Sequence, residues 1–426
     1  MEKMRLYGFA ILLALLASSI SMTAASSAAD GHPLKVFGNA NMDEVIDEAD
    51  IEFLQGIIDG KNKETELADA NHDGKVDEND IAQIRLIIAG DETELTLIDM
   101  ANRTVTIHLP VDGVVLTHRE QYEQLRAIKA PADVVLTAER QIQTMGEYEK
   151  YFAEYQDLPD VGSNSDPNIE AIIGLHPDLI LMGSYGENSS QHSSSLSVFE
   201  SAGIPVVYSH ETDKNFADNI RMLGCIFGKT NEANEYVDWR EDLITKIQER
   251  LAKVPDENKR KVYVEWYGKY VTSNFEATHI KELGGKDIFG GEASGSINPE
   301  EVVKQNPDIV ILIGGRGSGY VTDNITELKG LRDEFLSRKE LQDVTAAKTG
   351  DVYAMSVYIT GTGCCHGGRD FVQDAYFAKW LNPAYFEDFD PKFIHQEYLT
   401  RFQGLDWDLD SHGVYVYHPV MHPKGN

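Results

Sequence analysis

Apolar residues recur along this chain with two different periods. Ile51, Leu54, Ile57 and Ile58, and again Ile81, Ile84, Ile87 and Ile88, lie three or four positions apart, which predicts two short helices with one buried face each. From about residue 104 to 419 the pattern changes. Near-continuous β-rich runs at 133–137, 178–182, 205–208, 261–265, 308–312 and 351–354 alternate with helical stretches. Runs of this kind predict buried parallel strands in an α/β fold. Between the third and fourth runs, at about 233–254, lies a charged stretch without Gly or Pro. Tyr236, Trp239, Leu243, Ile247 and Leu251 fall on one side of it, so one long helix is expected there. The earliest apolar run, Leu6 to about Ile20, follows Lys3 and Arg5 and precedes small residues ending at Ala29. It is short for a membrane span and has the layout of a secretory signal, so 1–29 is expected to be a leader and the protein to be exported. No Cys stands near that cleavage point, which argues against lipid anchoring there.

Two internal repeats organise the rest. The first pairs Asn39, Asn41, Asp43, Val45, Asp47 and Asp50 with Asp69, Asn71, Asp73, Lys75, Asp77 and Asp80 at a constant offset of 30 residues. Side-chain oxygens at loop positions 1, 3, 5, 9 and 12, with the carbonyls of Val45 and Lys75 at position 7, match the donor pattern of a calcium-binding loop. Gly74 suits the sharp turn at position 6 of the second loop, whereas Glu44 replaces it in the first, so the second loop fits the pattern better. The second repeat, at offset 130, matches a segment running from Glu170 through Pro177 and Asp178 with one running from Glu300 through Pro307 and Asp308. Each copy reads as a short helix, a Pro-Asp turn and a buried strand. Duplicated α/β halves flanking one long helix predict two lobes.

Composition narrows the partners. A chain of 426 residues with 42% hydrophobic residues can bury more than one core, and a formal net charge of -32 argues against nucleic-acid binding. That charge favours cationic partners, calcium among them. The cysteines are Cys225, Cys364 and Cys365, too few for a disulfide framework.

The loop pair, with a single helix after each loop and Asp at position 12, resembles a type I dockerin over about 36–90. That resemblance implies bound calcium and a cohesin-type partner, of unknown type because the selecting positions here are Glu48, Ala49, Glu78 and Asn79. The duplicated region resembles the class III periplasmic-binding-protein family over about 103–419. Lobe one would span about 103–230, the connecting helix 233–254 and lobe two 260–419. Relatives of that family bind iron-siderophores, haem and cobalamin for an ABC permease and its ATPase. The resemblance implies that Glu170 and Glu300 project towards arginines of the permease, and no catalysis is expected.

Ligands of open α/β sheets sit beyond the carboxyl ends of the strands. The loops there contain Arg140, Tyr185, Tyr267, Arg316, Tyr358, His366 and Arg369, and Tyr with Arg suits a large anionic metal chelate. Cys364, Cys365 and His366 offer soft metal donors, but small buried thiols beside a helix start are the plainer reading. The tail at 394–417 is expected to pack on lobe two. Two other functions stay open: a secreted dockerin-tagged polysaccharide hydrolase, although no HExxH or GxSxG motif is present, and a non-transport scaffold.

Overall fold

The computed structural model describes residues 33–163, 165–183, 193–209, 215–360 and 368–425. The expected leader at 1–29 lies outside these residues. From His32 onward the chain forms one compact unit.

The N-terminal module contains helices α1 (Glu48–Ile58) and α2 (Glu78–Ala89). Each begins in the same way. Asp47 and Asp77 are N-caps, accepting from Ala49 N and Asn79 N, and Asp50 and Asp80 accept from the cap N–H in return. Positions 9 and 12 of each predicted calcium loop therefore also start a helix. Ala40, Leu54, Ala68, Ala70, Ile81 and Ile84 form the module's own small core. The module is also stitched to an antiparallel ribbon of β1 (Glu94–Ile98) and β2 (Thr104–His108). Phe37 N donates to Thr96 O at 3.0 Å and Ile98 N to Lys35 O at 2.8 Å. Leu34 and Val36 belong to the same continuous apolar core as Leu97, Val114 and Leu116.

Lobe one comprises β3 (Val114–Leu116), α3 (Arg119–Ala127), α4 (Arg140–Thr144), α5 (Tyr148–Tyr151), the short pair β4 (Gly162–Ser163) and β5 (Asp166–Pro167), α6 (Ile169–Gly174), β6 (Leu179–Met182), α7 (Ser193–Ser201), β7 (Val206–Tyr208) and α8 (Phe216–Ile226). Its sheet is parallel in the order β3-β6-β7. The strand expected at 133–137 is not a full member. Pro131 leads into a 3-10 turn over Ala132–Val134, and only Val135 bridges to Val114. The connecting helix α9 (Thr230–Leu251) starts a few residues earlier than expected and buries Tyr236, Leu243, Ile247 and Leu251.

Lobe two contains β8 (Lys261–Trp266), β9 (Val271–Thr272), α10 (Asn274–Glu282), β10 (Lys286–Asp287), β11 (Gly295–Ser296), α11 (Pro299–Gln305), β12 (Ile309–Gly314), α12 (Thr326–Ser337), α13 (Thr345–Thr349), β13 (Val352–Ser356), α14 (Asp370–Leu381), α15 (Pro391–Glu397) and β14 (Val416–Tyr417). The sheet order is β10-β8-β12-β13-β14, parallel except for β14 at the edge. The repeated Pro-Asp turn does the same work in both lobes. Asp178 accepts from Asp112 N and Gly113 N, and Asp308 accepts from Lys261 N, so each carboxylate holds the approach to the neighbouring strand.

The C-terminal tail does not stay on lobe two. Tyr398 Oη donates to Glu123 Oε2 at 2.9 Å, Gln403 Nε2 donates to Glu123 O at 3.0 Å, and Arg401 pairs with Glu235 on α9. Glu123 of α3 also faces Arg369, the residue that opens α14, at 3.3 Å with both side chains buried. The Arg369 guanidinium lies over the rings of Tyr151 and Tyr320 and donates to the Tyr320 hydroxyl. Removing one partner of a buried pair strands the other charge. Glu123→Ala is therefore expected to destabilise the protein by about 3–5 kcal/mol, read as a lowered urea midpoint for the full chain.

Candidate functional site

Side chains from both lobes meet beyond the carboxyl ends of the strands. In lobe two, Tyr267 follows β8 in the left-handed region (φ 56) and donates its N–H to Ile313 O at 2.9 Å. The loop after β12 carries Arg316, whose guanidinium lies 4.8 Å from the centre of the Tyr267 ring. Gly315 adopts φ +67 there, with the Leu328 side chain 2.5 Å from where a Cβ would sit, so only glycine fits. Tyr358 stands on the 3-10 turn Val357–Thr360 that follows β13. Lobe one contributes Arg119 at the start of α3 and Glu147 at the N-cap of α5. The Glu147 carboxyl and the Tyr358 phenol act on each other's ionisation, so polar groups of the two lobes approach here.

Burial sets the electrostatics. Burial pushes the Glu147 carboxyl above the usual range, while Tyr358, Arg119 and Arg316 act in the opposite direction. Burial likewise raises the Tyr358 phenol, and the Glu147 charge adds to that. Next to them Glu139, only 2% exposed, caps α4 by accepting from Gln141 N at 2.9 Å. Burial pushes its carboxyl up to about 7, against the pull of Arg119, which also donates to Gln141 Oε1. On the lobe-two side a cavity of about 420 Å³ is lined by Tyr267, Gly315, Arg316 and Leu331 among others. Its floor is a buried bidentate pair in which Arg338 meets Glu265 at 2.5 and 2.9 Å.

Of the residues expected to line the cleft, Tyr267, Arg316 and Tyr358 come together. Arg140 is engaged elsewhere, with Asp160 at 3.4 Å and Asp166 at 3.7 Å. The structure does not bring Arg369 to the cleft surface, because its guanidinium is 1% exposed and committed to Glu123. Tyr185 and His366, with Cys364 and Cys365, lie outside the described residues. The sequence pattern does not reveal Arg119, Glu139 and Glu147. Their shared trait, placement at or just before a helix start in lobe one, is too common to single them out.

Glu170 and Glu300 both occupy the exposed first turns of α6 and α11, whose N-caps are Asn168 and Asn298.

The two calcium-type loops are closed differently. In the second, Asp69 accepts from Asp73 N at 3.0 Å and Gly74 N at 2.9 Å, Asn71 Oδ1 accepts from Asp73 N, and Asp80 accepts from Asn71 N and Asp77 N. Burial raises the Asp80 carboxyl, and the charges of Asp69 and Asp77 add to this. In the first loop the equivalent bonds recur, with Asp43 N donating to Asn39 Oδ1 and Asn41 Oδ1 and Asp50 accepting from Asn41 N and Asp47 N, and the side-chain amides add to them. Asn39 Nδ2 donates to Leu34 O and Asp43 O, and Asn41 Nδ2 donates to Asp43 Oδ2 at 2.7 Å. Burial pushes Asp50 up to about 6. Glu44 at position 6 pairs with Arg221 of α8 at 2.7 Å. Donor types and turn geometry in the second loop suit a hard cation. Even so, no group of three or more His, Cys, Asp or Glu side chains converges as a metal cluster among the described residues.

Comparison with known proteins gives a family match. A family described as "Periplasmic binding protein" matches residues 114–358. The high-affinity heme uptake system protein IsdE of Staphylococcus aureus is 24% identical over 163 residues, 37% of this chain and 54% of that protein. The chain thus spans about half the length of the curated relatives it matches. Among solved structures, the TroA-like periplasmic binding protein FepB from Veillonella parvula superimposes with a TM-score of 0.64 at 22% identity, over 76% of this chain and 99% of that one. The molybdate periplasmic binding protein MolA of Haemophilus influenzae gives 0.56 at 17% identity, over 74% and 99%. Helicobacter pylori CeuE, in a Ni-His complex, gives 0.53 at 16% identity, over 74% and 96%. These likenesses establish the fold.

The raised Glu139 carboxyl has a measurable signature. Between its ordinary value of 4.5 and about 7 the folded chain holds a proton that the unfolded chain has released. The stability this contributes is complete below 4.5 and is lost as pH rises through about 7. Glu139→Gln keeps the capping acceptor and removes the titration. The wild type should lose on the order of 3 kcal/mol relative to this variant between pH 4.5 and 8, measured by paired urea melts across that range.

Proposed function

The chain belongs to the periplasmic binding protein family, and we propose that it is the extracytoplasmic solute-binding component of an ABC importer for a metal-chelate ligand. The observation that carries this reading is the meeting of Arg119 and Glu147 from lobe one with Tyr267, Arg316 and Tyr358 from lobe two. Aromatic faces suit the apolar body of a chelate, and guanidinium groups suit its carboxylates or phenolates. The names of the relatives support the metal-linked class: one takes up heme, one binds molybdate and one is complexed with Ni-His. The iron-siderophore, haem and corrinoid classes all fit this description. We assign no reaction to the cleft.

The test is a titration of the full-length protein with haemin, cyanocobalamin and a ferric catecholate chelate, with thermal melting as the readout. A ligand present at 100 times its Kd should stabilise the folded chain by about 2.7 kcal/mol. If no probe in such a panel moves the midpoint, the chelate assignment fails.

Glu170 and Glu300 are the proposed contacts to the permease, with its ATPase beneath. Exposed carboxylates on rigid helices favour docking to basic partners through charge complementarity. Reversing both to Lys is expected to lower transport by at least about tenfold while the ligand Kd stays unchanged; unchanged transport removes the assignment.

The N-terminal module is proposed to bind calcium, with the second loop (Asp69, Asn71, Asp73, Lys75, Asp77, Asp80) as the stronger site, and to offer attachment to a cohesin-type surface protein. The supporting features are the repeated donor pattern and the crowding of carboxylates around Asp80. Calcium is expected to raise the melting temperature of the full chain, and Asp73→Ala should abolish most of that rise. An equal rise in both proteins overturns the site.

A further inference from the structure

The loop after β8, residues 267–270, is held in a conformation that its own side chains resist. Tyr267 and Tyr270 both sit in the left-handed region, at φ 56 and φ 54. A bulky residue is strained there, and such outliers persist only where the surroundings over-determine them. Here the surroundings act through one guanidinium. Arg338, at the end of α12, donates to Glu265 of β8 at 2.5 and 2.9 Å and to Glu334 of α12 at 2.6 Å. Glu265 Oε1 in turn accepts from Tyr270 N at 2.9 Å and from Tyr263 Oη at 3.1 Å. Glu334 pairs with Lys269 of the loop, and Tyr270 Oη donates to Glu340 at 2.6 Å. The Arg338 guanidinium also lies 4.7 Å from the centre of the Tyr270 ring. Glu265 and Glu334, two of the anions that tie down the loop, are therefore fixed by the same buried cation.

We propose that Arg338 is a positioning residue for the cleft: by fixing Glu265 and Glu334 it holds the strained 267–270 loop, and so keeps Tyr267 beneath Arg316 before any ligand arrives. This rests on the solute-binding reading above and deepens it. The Arg338 donors are committed to two carboxylates, so the residue acts through the loop rather than on the ligand. Its planar fork engages both oxygens of Glu265 at once, which a point charge does not do. Without that fork the loop can leave the left-handed region, and Tyr267 and Arg316 are assembled for only part of the time. The apparent affinity then falls with the fraction of molecules in the competent conformation. The strain is the counterpart of pre-organisation, since the loop is ordered on folding and not on binding.

The experiment uses the full chain and two variants chosen to fold. Glu265→Gln combined with Arg338→Met removes both charges together, so neither is stranded, and keeps an acceptor for Tyr263 and Tyr270. Arg338→Lys keeps the charge and gives up the fork. Urea midpoints verify that the variants are folded. Amide exchange is followed at Tyr267 N and Ile297 N, whose acceptors, Ile313 O and Tyr270 O, are not on the substituted residues. Expected in both variants is exchange at these two amides faster by at least about tenfold, while β12 and β13 stay protected. Haemin, cyanocobalamin and a ferric catecholate chelate are the binding probes, and each one that the wild type binds should lose affinity by about tenfold. Unchanged exchange at the loop overturns the inference even where affinity falls, because a fall alone places Arg338 in direct contact with the ligand. Faster exchange throughout lobe two assigns the pair to general stability and overturns it as well. So does faster loop exchange with unchanged affinity, which leaves the loop outside the site. A wild type that binds none of the three probes counts against the solute-binding reading, and the exchange measurement alone then decides whether Arg338 holds the loop.

Discussion

Arg369 reaches the boundary between the lobes with almost no water around it, and a guanidinium in that position is tolerated only if the facing element supplies an anion. Glu123 on α3 does so, and its carboxylate is held in turn by the hydroxyl of Tyr398 from the C-terminal tail. The rings of Tyr151 and Tyr320 enclose the cation from α5 and from the loop after β12. Beneath Tyr320 the buried His395 is pushed well below its ordinary value by burial and by the Arg369 charge, so it adds no competing cation. The lobes are thus joined by a desolvated charge pair as well as by α9. Such a pair penalises any displacement that separates its members.

The same two elements that build this lock also carry the cleft. On α3, Arg119 and Glu123 are four residues apart; around α5, Glu147 and Tyr151 are four residues apart. Positions i and i+4 lie on one helix face, one turn above the other. One turn of α3 therefore separates the partner of Arg369 from a cation of the cleft, and one turn of α5 separates the ring over Arg369 from Glu147. The spacing of the polar ring between the lobes is inherited from the buried pair below it. A cleft set in this way is pre-organised, which limits the ordering cost of binding.

Much of this architecture is legible in the sequence, for physical reasons that also mark where legibility ends. The repeat at offset 130 carries its structural meaning in two residues, since Asp178 and Asp308 make equivalent backbone contacts in each lobe. Buried strands such as β12 and the one-sided apolar stripe of α9 are local patterns, and the structure contains both. The run at 133–137 has the composition of a strand, but sheet membership depends on where the chain arrives, and the turn at Ala132–Val134 leaves only Val135 in register. Tyr267, Arg316 and Tyr358 are visible because loops after strands can be located from the strands. Glu147 and Glu123 are not, since an acidic residue near a helix start reads as ordinary capping until its partner from the other lobe is in place. Arg369 illustrates the converse: its type suits a ligand site, and only tertiary burial commits it to Glu123.

The N-terminal module shows how tertiary context explains a departure from a local pattern. Position 6 of a calcium loop favours glycine because the turn there is left-handed, and Gly74 adopts φ +87. Glu44 occupies the same position in the first loop and is not in the left-handed region. Its carboxylate instead satisfies Arg221, a nearly buried cation on α8 of lobe one that also bonds Asn234. With Asn39 and Asn41 spending their amides inside the loop, the first copy closes itself by hydrogen bonds and by an ion pair to the lobe. The second copy keeps Asp69 where the first has Asn39, and so concentrates negative charge that backbone N–H groups offset only in part. Duplication of one loop has therefore produced two different solutions to the same turn. The first copy anchors the module to lobe one, and the second retains the charge that would attract a cation.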